Sequence, residues 1–234
     1  MPGKACFITG TDTGVGKTRI SLAVIEVLKQ HGCRVGAMKP VASGCETGRD
    51  GLRNADALLL QESAGSGHDY GTINPFALSR PSAPLIAAEQ DGLKISVQPI
   101  LDSFQKVLAN TDVVVMEGVG GWQVQLNEDL WMSDVVKLLN LPVIMVVGMR
   151  LGCINHALLT AEAISGTGCW LLGWIGNQVD PAYADYEASL QLLSRTLAAP
   201  MLGSVPFIPG ARVEKMTGFL KNICSPDAGL VDRP

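Results

Sequence analysis

Between an apolar run, Ala5-Cys-Phe-Ile-Thr9, and a helical pattern from Thr18 to Gln30 lies the turn Gly10-Thr-Asp-Thr-Gly-Val-Gly-Lys-Thr18. A glycine-rich turn that leaves a buried strand and enters a helix aims backbone N–H groups and the positive helix end at an anion. At this spacing Lys17 can reach the terminal phosphates of a nucleotide, and the Thr18 hydroxyl can coordinate Mg²⁺. The strict pattern is G-x-x-x-x-G-K-[ST]; here Thr11 holds the place of its first glycine, so the turn is a variant phosphate loop. Without the flanking strand and helix the same letters would be only a glycine-rich turn. A dinucleotide-binding turn fits poorly, because Gly14-x-Gly16-x-x-Arg19 lacks the third glycine.

The rest of the chain repeats this alternation. In the first helix Ile20, Ala23, Val24, Val27 and Leu28 recur on one face, and Gly32 sits where a left-handed residue closes a helix. Further strands are expected at Arg34–Met38, Val113–Met116, Val143–Val147, Leu171–Ile175 and Met201–Val205. Helices are expected at Asn54–Glu62, Pro84–Glu89, Ser96–Ala109, Ser133–Leu139, Asn155–Ile164 and Tyr183–Leu197. Apolar strands alternating with helices predict an α/β fold of the P-loop NTPase type: a mostly parallel sheet of about six to seven strands with helices on both faces. We read one domain over residues 1–221, with 222–234 expected to fray because two prolines and few apolar residues populate it.

Composition narrows the function. The 234 residues are 47% hydrophobic and 17% charged, too apolar for a disordered segment. A net charge of −4 argues against nucleic acid or an anionic membrane as the main partner. Six scattered cysteines without a C-x-x-C pair read as reduced, mostly buried thiols, and three separated histidines give no zinc spacing. No signal-peptide core and no apolar stretch near 20 residues is visible, so a soluble cytoplasmic protein is expected.

A nucleotide hydrolysing or transferring site needs carboxylates for its metal. Val113-Val-Val-Met-Glu117 ends an apolar strand with a carboxylate at the C-terminal edge, where open parallel sheets bind ligands. Asp112 lies at the other end of that strand, some ~16 Å away, and should be structural or solvated. The glycines of Gly118-Val-Gly-Gly121 then let backbone approach phosphates.

Five segments in register now carry a resemblance: Gly10–Thr18, Lys39-Pro-Val-Ala-Ser-Gly44, Asn54-Ala-Asp56, Glu117-Gly-Val-Gly-Gly121, and Gly148-x-x-Leu-Gly-Cys-Ile-Asn-His156. Together they resemble the dethiobiotin synthetase family, from residue 5 to about residue 208. The resemblance implies an ATP- and Mg²⁺-dependent ligase that closes a cyclic urea on 7,8-diaminononanoate with CO2 or bicarbonate. It implies Lys39 and Lys17 as catalytic lysines, and Thr18, Asp56 and Glu117 around the metal. ATP would be held by Gly14, Val15, Gly16, Lys17, Thr18, Arg19, Asp56, Glu117, Gly118, Val119 and Gly120. Adenine would meet Asn177 and Gln178, just past the Leu171–Ile175 strand, and be walled by Pro206, Phe207 and Ile208. The diamine would contact Thr13, Lys39 and Ser43, and its carboxylate the turn Gly152, Cys153 and Asn155, donated by the partner subunit of a homodimer. Read without the family, Lys39 is a strand-end lysine, Asp56 a first-turn helix charge, and Asn155 an ordinary helix cap.

Gly14 stands where some relatives carry an acidic residue, and Val119 where alanine is frequent. The alternative is a P-loop ATPase switch of the ParA/MinD type. Those carry an early lysine in the loop, where this chain reads Asp12-Thr-Gly-Val-Gly-Lys17.

Overall fold

The structure is a computed structural model, described over residues 4–210, 213–220, 222–224 and 230. In chain order it runs β1 (Lys4–Gly10), α1 (Lys17–Gln30), β2 (Val35–Met38), β3 (Val41–Ala42), β4 (Glu46–Gly48), β5 (Gly51–Arg53), α2 (Ala55–Ala64) and α3 (Tyr70–Ile73). It continues β6 (Phe76–Ala77), α4 (Pro84–Gln90), α5 (Val97–Ala109), β7 (Val113–Glu117), α6 (Met132–Leu138), β8 (Val143–Met149), α7 (Cys153–Gly166), β9 (Leu171–Gln178), α8 (Tyr186–Thr196) and β10 (Met201–Val205).

Six strands form one sheet in the order β10-β9-β8-β1-β7-β2, and every pairing in it is parallel. A parallel sheet must be covered on both faces, and successive residues of a strand serve opposite faces. Accordingly Cys6, Ile8, Val113, Val115, Ile144 and Val146 pack with Ile20, Val24 and Leu28 of α1. Phe7, Val114, Met116, Val143, Met145 and Val147 pack on the other side with Phe104 of α5 and Val135 of α6. The buried stripe of α1 is the one its spacing predicts, and Gly32 has φ 81.

Three differences from the sequence reading have physical causes. β9 runs on to Gln178, because Asn177 is buried and its amide is satisfied, so the pairing outlasts the apolar run. α7 starts at Cys153 with Gly152 left-handed (φ 92) as its cap, so Asn155 is an exposed first-turn residue that does not cap the helix. The β4–β5 hairpin, the β3–β6 pair and α3 are too short to carry a period. The expected fraying of 222–234 falls mostly outside the described residues; of those described there, Ile223 and Leu230 are buried in the α1 face of the core.

Candidate active site

β1 and β7 end side by side, with Ile8 opposite Glu117, so the turn after β1 and the carboxylate of β7 meet at the C-terminal edge of the sheet. The loop reaches α1 through Gly16, left-handed at φ 85, and α1 has no side-chain cap. A Cβ on Gly16 would collide with Nδ2 of Asn177, which donates to the Val15 carbonyl at 2.8 Å. Asn177 thus props the phosphate loop from beneath, a role its position after an apolar strand did not announce. One of its amide hydrogens is committed there.

Lys17 is largely buried, and its Nζ donates to the Asp12 carbonyl at 3.2 Å. Burial pushes its pKa down to about 8, against the pull of Glu117. Lys39 follows β2 and is only 4% exposed. Its Nζ donates to Glu117 Oε1 at 2.6 Å and to Asp56 Oδ2 at 3.1 Å. Burial works to lower the Lys39 pKa, but the two carboxylates outweigh it and the net shift is upward.

Thr18, Asp56 and Glu117 come together around that lysine. Thr18 Oγ1 donates to Glu117 Oε1 at 2.9 Å, and Asp56, in the first turn of α2, faces Glu117 across the Lys39 ammonium. Glu117 is wholly buried, and among the described residues its Oε2 has no hydrogen-bond partner. A buried carboxylate oxygen without a donor is costly unless a cation or water meets it. Among the described residues no group of three His, Cys, Asp or Glu side chains could hold a metal ion. A hydroxyl with two carboxylates, completed by phosphate oxygens, is instead the sparse oxygen set that Mg²⁺ accepts.

Two adjoining clefts share Thr13, Ser43, Val119 and Gly120. One, of about 410 Å³, holds Gly14, Gly16, Lys17, Thr18, Arg19, Lys39, Asp56 and Glu117, with Asn54. The other, of about 760 Å³, is mostly apolar and runs along Pro81, Pro84, Leu85 and Ile86 to Trp131. Gly118 N–H donates to the Ile8 carbonyl and belongs to the joint between β1 and β7.

At the other end, Gln178 Oε1 accepts from Phe207 N–H at 3.0 Å and Arg19 Nη2 donates to the Ile208 carbonyl at 3.2 Å. Pro206-Phe-Ile208 is therefore clamped between β9 and α1. Gly152 and Asn155 are exposed and Cys153 is buried, and none of the three lines either cleft. Their link to the loop is Arg150, whose Nη2 lies 2.5 Å from Asp12 Oδ2. Sequence reasoning placed Asn54 at the head of a helix but gave it no role; it is the cap of α2, which an asparagine before a helical pattern signals. It missed Asp12 and Arg150, for which no local pattern exists. Asp112, at the far end of β7, is held by Arg34 at 2.7 Å, away from the site.

A family profile described as an AAA domain matches residues 4–215. The chain is 47% identical over 211 residues to the ATP-dependent dethiobiotin synthetase BioD of Xanthomonas euvesicatoria pv. vesicatoria (strain 85-10), covering 90% of this chain and 94% of the relative. It is 43% identical over 221 residues to that of Xanthomonas campestris pv. campestris (strain ATCC 33913), covering 94% and 99%, and 45% identical over 209 residues to that of Xylella fastidiosa (strain 9a5c), covering 89% and 92%. Among solved structures it is similar to the septum site-determining protein MinD of Pyrococcus horikoshii OT3 complexed with Mg-ADP, at TM-score 0.57 and 15% identity over 98% of this chain and 92% of that one. The MinC:MinD complex of Aquifex aeolicus gives TM-score 0.58 at 16% identity, covering 92% and 86%. These likenesses show the P-loop NTPase fold alone.

Proposed function

Because this chain belongs to the ATP-dependent dethiobiotin synthetases, enzymes that use ATP to form C–N bonds, we propose that it closes the ureido ring of dethiobiotin from 7,8-diaminononanoate and CO2. One amine captures CO2 and loses a proton, giving a carbamate. A carbamate oxygen attacks the γ-phosphorus, ADP leaves, and a carbamic-phosphoric anhydride forms. The second amine then attacks its carbon and releases phosphate and a proton. No step needs a protein nucleophile, so positioning and charge neutralisation carry the rate.

The observation that carries this reading is the Lys39 ammonium in the polar cleft, buried beside the phosphate loop where that cleft adjoins the apolar one through Thr13 and Ser43. There it can neutralise both the carbamate and the transferring phosphoryl group. Lys17 holds the β/γ oxygens from the loop side. Its ammonium and that of Lys39 also lower the pKa of a nearby substrate amine, favouring the neutral form that attacks CO2. Thr18, Asp56 and Glu117 would hold Mg²⁺, which supplies Lewis-acid neutralisation of the phosphates. The apolar cleft suits the alkyl chain of the diamine, with Thr13 and Ser43 at its polar mouth. Adenine fits beside the Phe207 wall, where the Asn177 carbonyl and its remaining amide hydrogen are the available edge.

The substrate carboxylate is proposed to meet the turn at Gly152–Asn155 of a second copy, in a homodimer. What supports this is that the turn lines neither cleft of its own chain. Leu151 beside it is 87% exposed and Leu159 on α7 is 57% exposed, leaving apolar surface to cover. The need for ATP supports a cytoplasmic location.

The test is ADP release and dethiobiotin formation measured with and without diaminononanoate and bicarbonate. Equal ATP turnover in both, with no dethiobiotin, would overturn the reading.

A further inference from the structure

Tyr70 lies outside both clefts and outside every motif, yet it touches the two segments that carry the site's opposite charges. It is buried, and its hydroxyl is doubly used. It accepts from the Asn54 N–H at 2.7 Å and donates to Asn74 Oδ1 at 2.9 Å. Asn54 caps α2, its Oδ1 accepting from the Ala57 N–H at 3.2 Å, and Asp56 is in the first turn of that helix. Asn74, also buried, donates Nδ2 to the Lys39 carbonyl at 2.6 Å, while the Lys39 N–H donates to the Ile73 carbonyl at 2.9 Å. One hydroxyl thus stands at a branch point between the backbone of Lys39 and the start of the helix that presents Asp56. The Arg53 guanidinium carbon lies 4.3 Å from the centre of the Tyr70 ring, stacked on its face.

We propose that Tyr70, with Asn74, is a positioning residue that sets the spacing between the Lys39 ammonium and the Asp56 carboxylate. A tyrosine hydroxyl has one proton to give and lone pairs to accept, and both are spent here on buried groups. Phenylalanine would keep the ring but leave the Asn54 N–H and Asn74 Oδ1 buried without partners, so both segments would shift to find new ones. The shift would act on Asp56 through the cap of α2, and on Lys39 through its carbonyl. Asn74→Ala cuts only the second arm and leaves the Asn54-to-Tyr70 bond in place. The two substitutions therefore separate the arms. The inference rests on the metal and lysine roles proposed above.

The experiment measures three quantities for wild type, Tyr70→Phe, Asn74→Ala and Arg53→Met. They are ADP affinity in EDTA by calorimetry, Mn²⁺ affinity of the ADP complex by electron paramagnetic resonance, and kcat for ring closure. Tyr70→Phe should weaken Mn²⁺ binding about tenfold and leave ADP affinity in EDTA within about twofold, while kcat falls. Asn74→Ala should lower kcat about tenfold with Mn²⁺ affinity within about threefold of wild type. A merely structural tyrosine would lower the melting temperature of both variants and move neither Mn²⁺ affinity nor kcat, which would overturn the proposal. So would losses of Mn²⁺ affinity in equal proportion in the two variants.

Should Tyr70→Phe fail to fold, Arg53→Met keeps the hydroxyl and frees the ring. A two- to threefold loss of Mn²⁺ affinity is then expected, and none would overturn the proposal. A wild type that binds Mn²⁺ and ADP but makes no dethiobiotin would discard the ring-closure reading, and the Mn²⁺ measurements would still decide the role of Tyr70.

Discussion

Lys39 Nζ stands 2.6 Å from Glu117 Oε1, and Glu117 exposes no surface at all. The second partner of the lysine, Asp56, is 45% exposed at its side chain. The two carboxylates should therefore differ in what they do for folding. Glu117→Gln leaves a buried ammonium with one solvated partner and should cost roughly 3 kcal/mol, the lower end for breaking a buried pair. Asp56→Asn should cost under about 1 kcal/mol, as for an exposed pair. Both should raise the Mg²⁺ concentration needed for half-maximal activity. Urea unfolding beside Mg²⁺ titration checks this; equal stability losses would contradict the burial ordering.

Burial holds Lys17 down to about 8. The unfolded reference is ~10.4, so this group works against folding at neutral pH, and that cost fades as pH rises from 8 toward 10. For phosphate binding the sign reverses, because only the ammonium attracts the nucleotide. ATP affinity in EDTA should fall with a limiting slope of about tenfold per pH unit above pH 8. Lys17→Ala should bind weakly at every pH with no such slope. Calorimetry from pH 7 to 9.5 reads both, and a wild-type affinity independent of pH would remove Lys17 from the phosphate contact.

Lys39→Gln should retain nucleotide binding and lose turnover by about 100-fold or more, since its proposed work is at the carbamate and the transferring phosphoryl group. Steady-state kinetics separates the outcomes. A kcat near wild type with only the ATP KM raised would make Lys39 a nucleotide contact.

The Asp112 carboxyl is held down to about 2 by its hydrogen bonds from Arg34. A depressed carboxylate adds stability above its unfolded value of ~3.9 that is lost as pH falls through 2. Asp112→Asn should therefore flatten the acid-unfolding profile between pH 4 and 2. It should leave the Mg²⁺ requirement untouched, because Asp112 pairs at the opposite end of the sheet. A changed Mg²⁺ requirement would show that the far end of β7 is coupled to the site.

Mixing two inactive variants tests the shared site. In a heterodimer of Lys17→Ala and Asn155→Ala, one site carries both lesions and the other carries neither. Random exchange makes half the dimers mixed, so about a quarter of wild-type activity should return. Demonstrated heterodimers without recovery would confine each site to one chain.

What the sequence disclosed followed from periodicity and from one turn. The apolar runs of β1, β7 and β8 and the striped face of α1 carry long, regular patterns, and the structure has them within a few residues of the expected ends. Lys17, Thr18 and Glu117 were legible because a glycine-rich turn and a strand-end carboxylate belong to one sheet edge. Asn177 was placed at the right edge, but its grip on the Val15 carbonyl depends on a neighbour far away in sequence. Tyr70, Asn74 and the Asp12–Arg150 pair likewise act only through tertiary hydrogen bonds and ion pairs, which no spacing records. The β4–β5 hairpin is three residues a side, below the length at which alternation can be told from chance.

The place of β1 in the sheet has a consequence for the time it takes to make this protein. Phe7 lies opposite Met116 on one side and Val143 on the other. The strand that carries the phosphate loop is thus made before both of its neighbours, and the first of them, starting at Val113, follows Gly10 by about a hundred residues. At ordinary elongation rates that interval is on the order of ten seconds. Throughout it β1 is an apolar segment with both backbone edges open, which is the situation in which chains are caught by chaperones or by one another. A nucleotide cannot shield it, because the loop that would bind one closes only after β7 and β8 arrive.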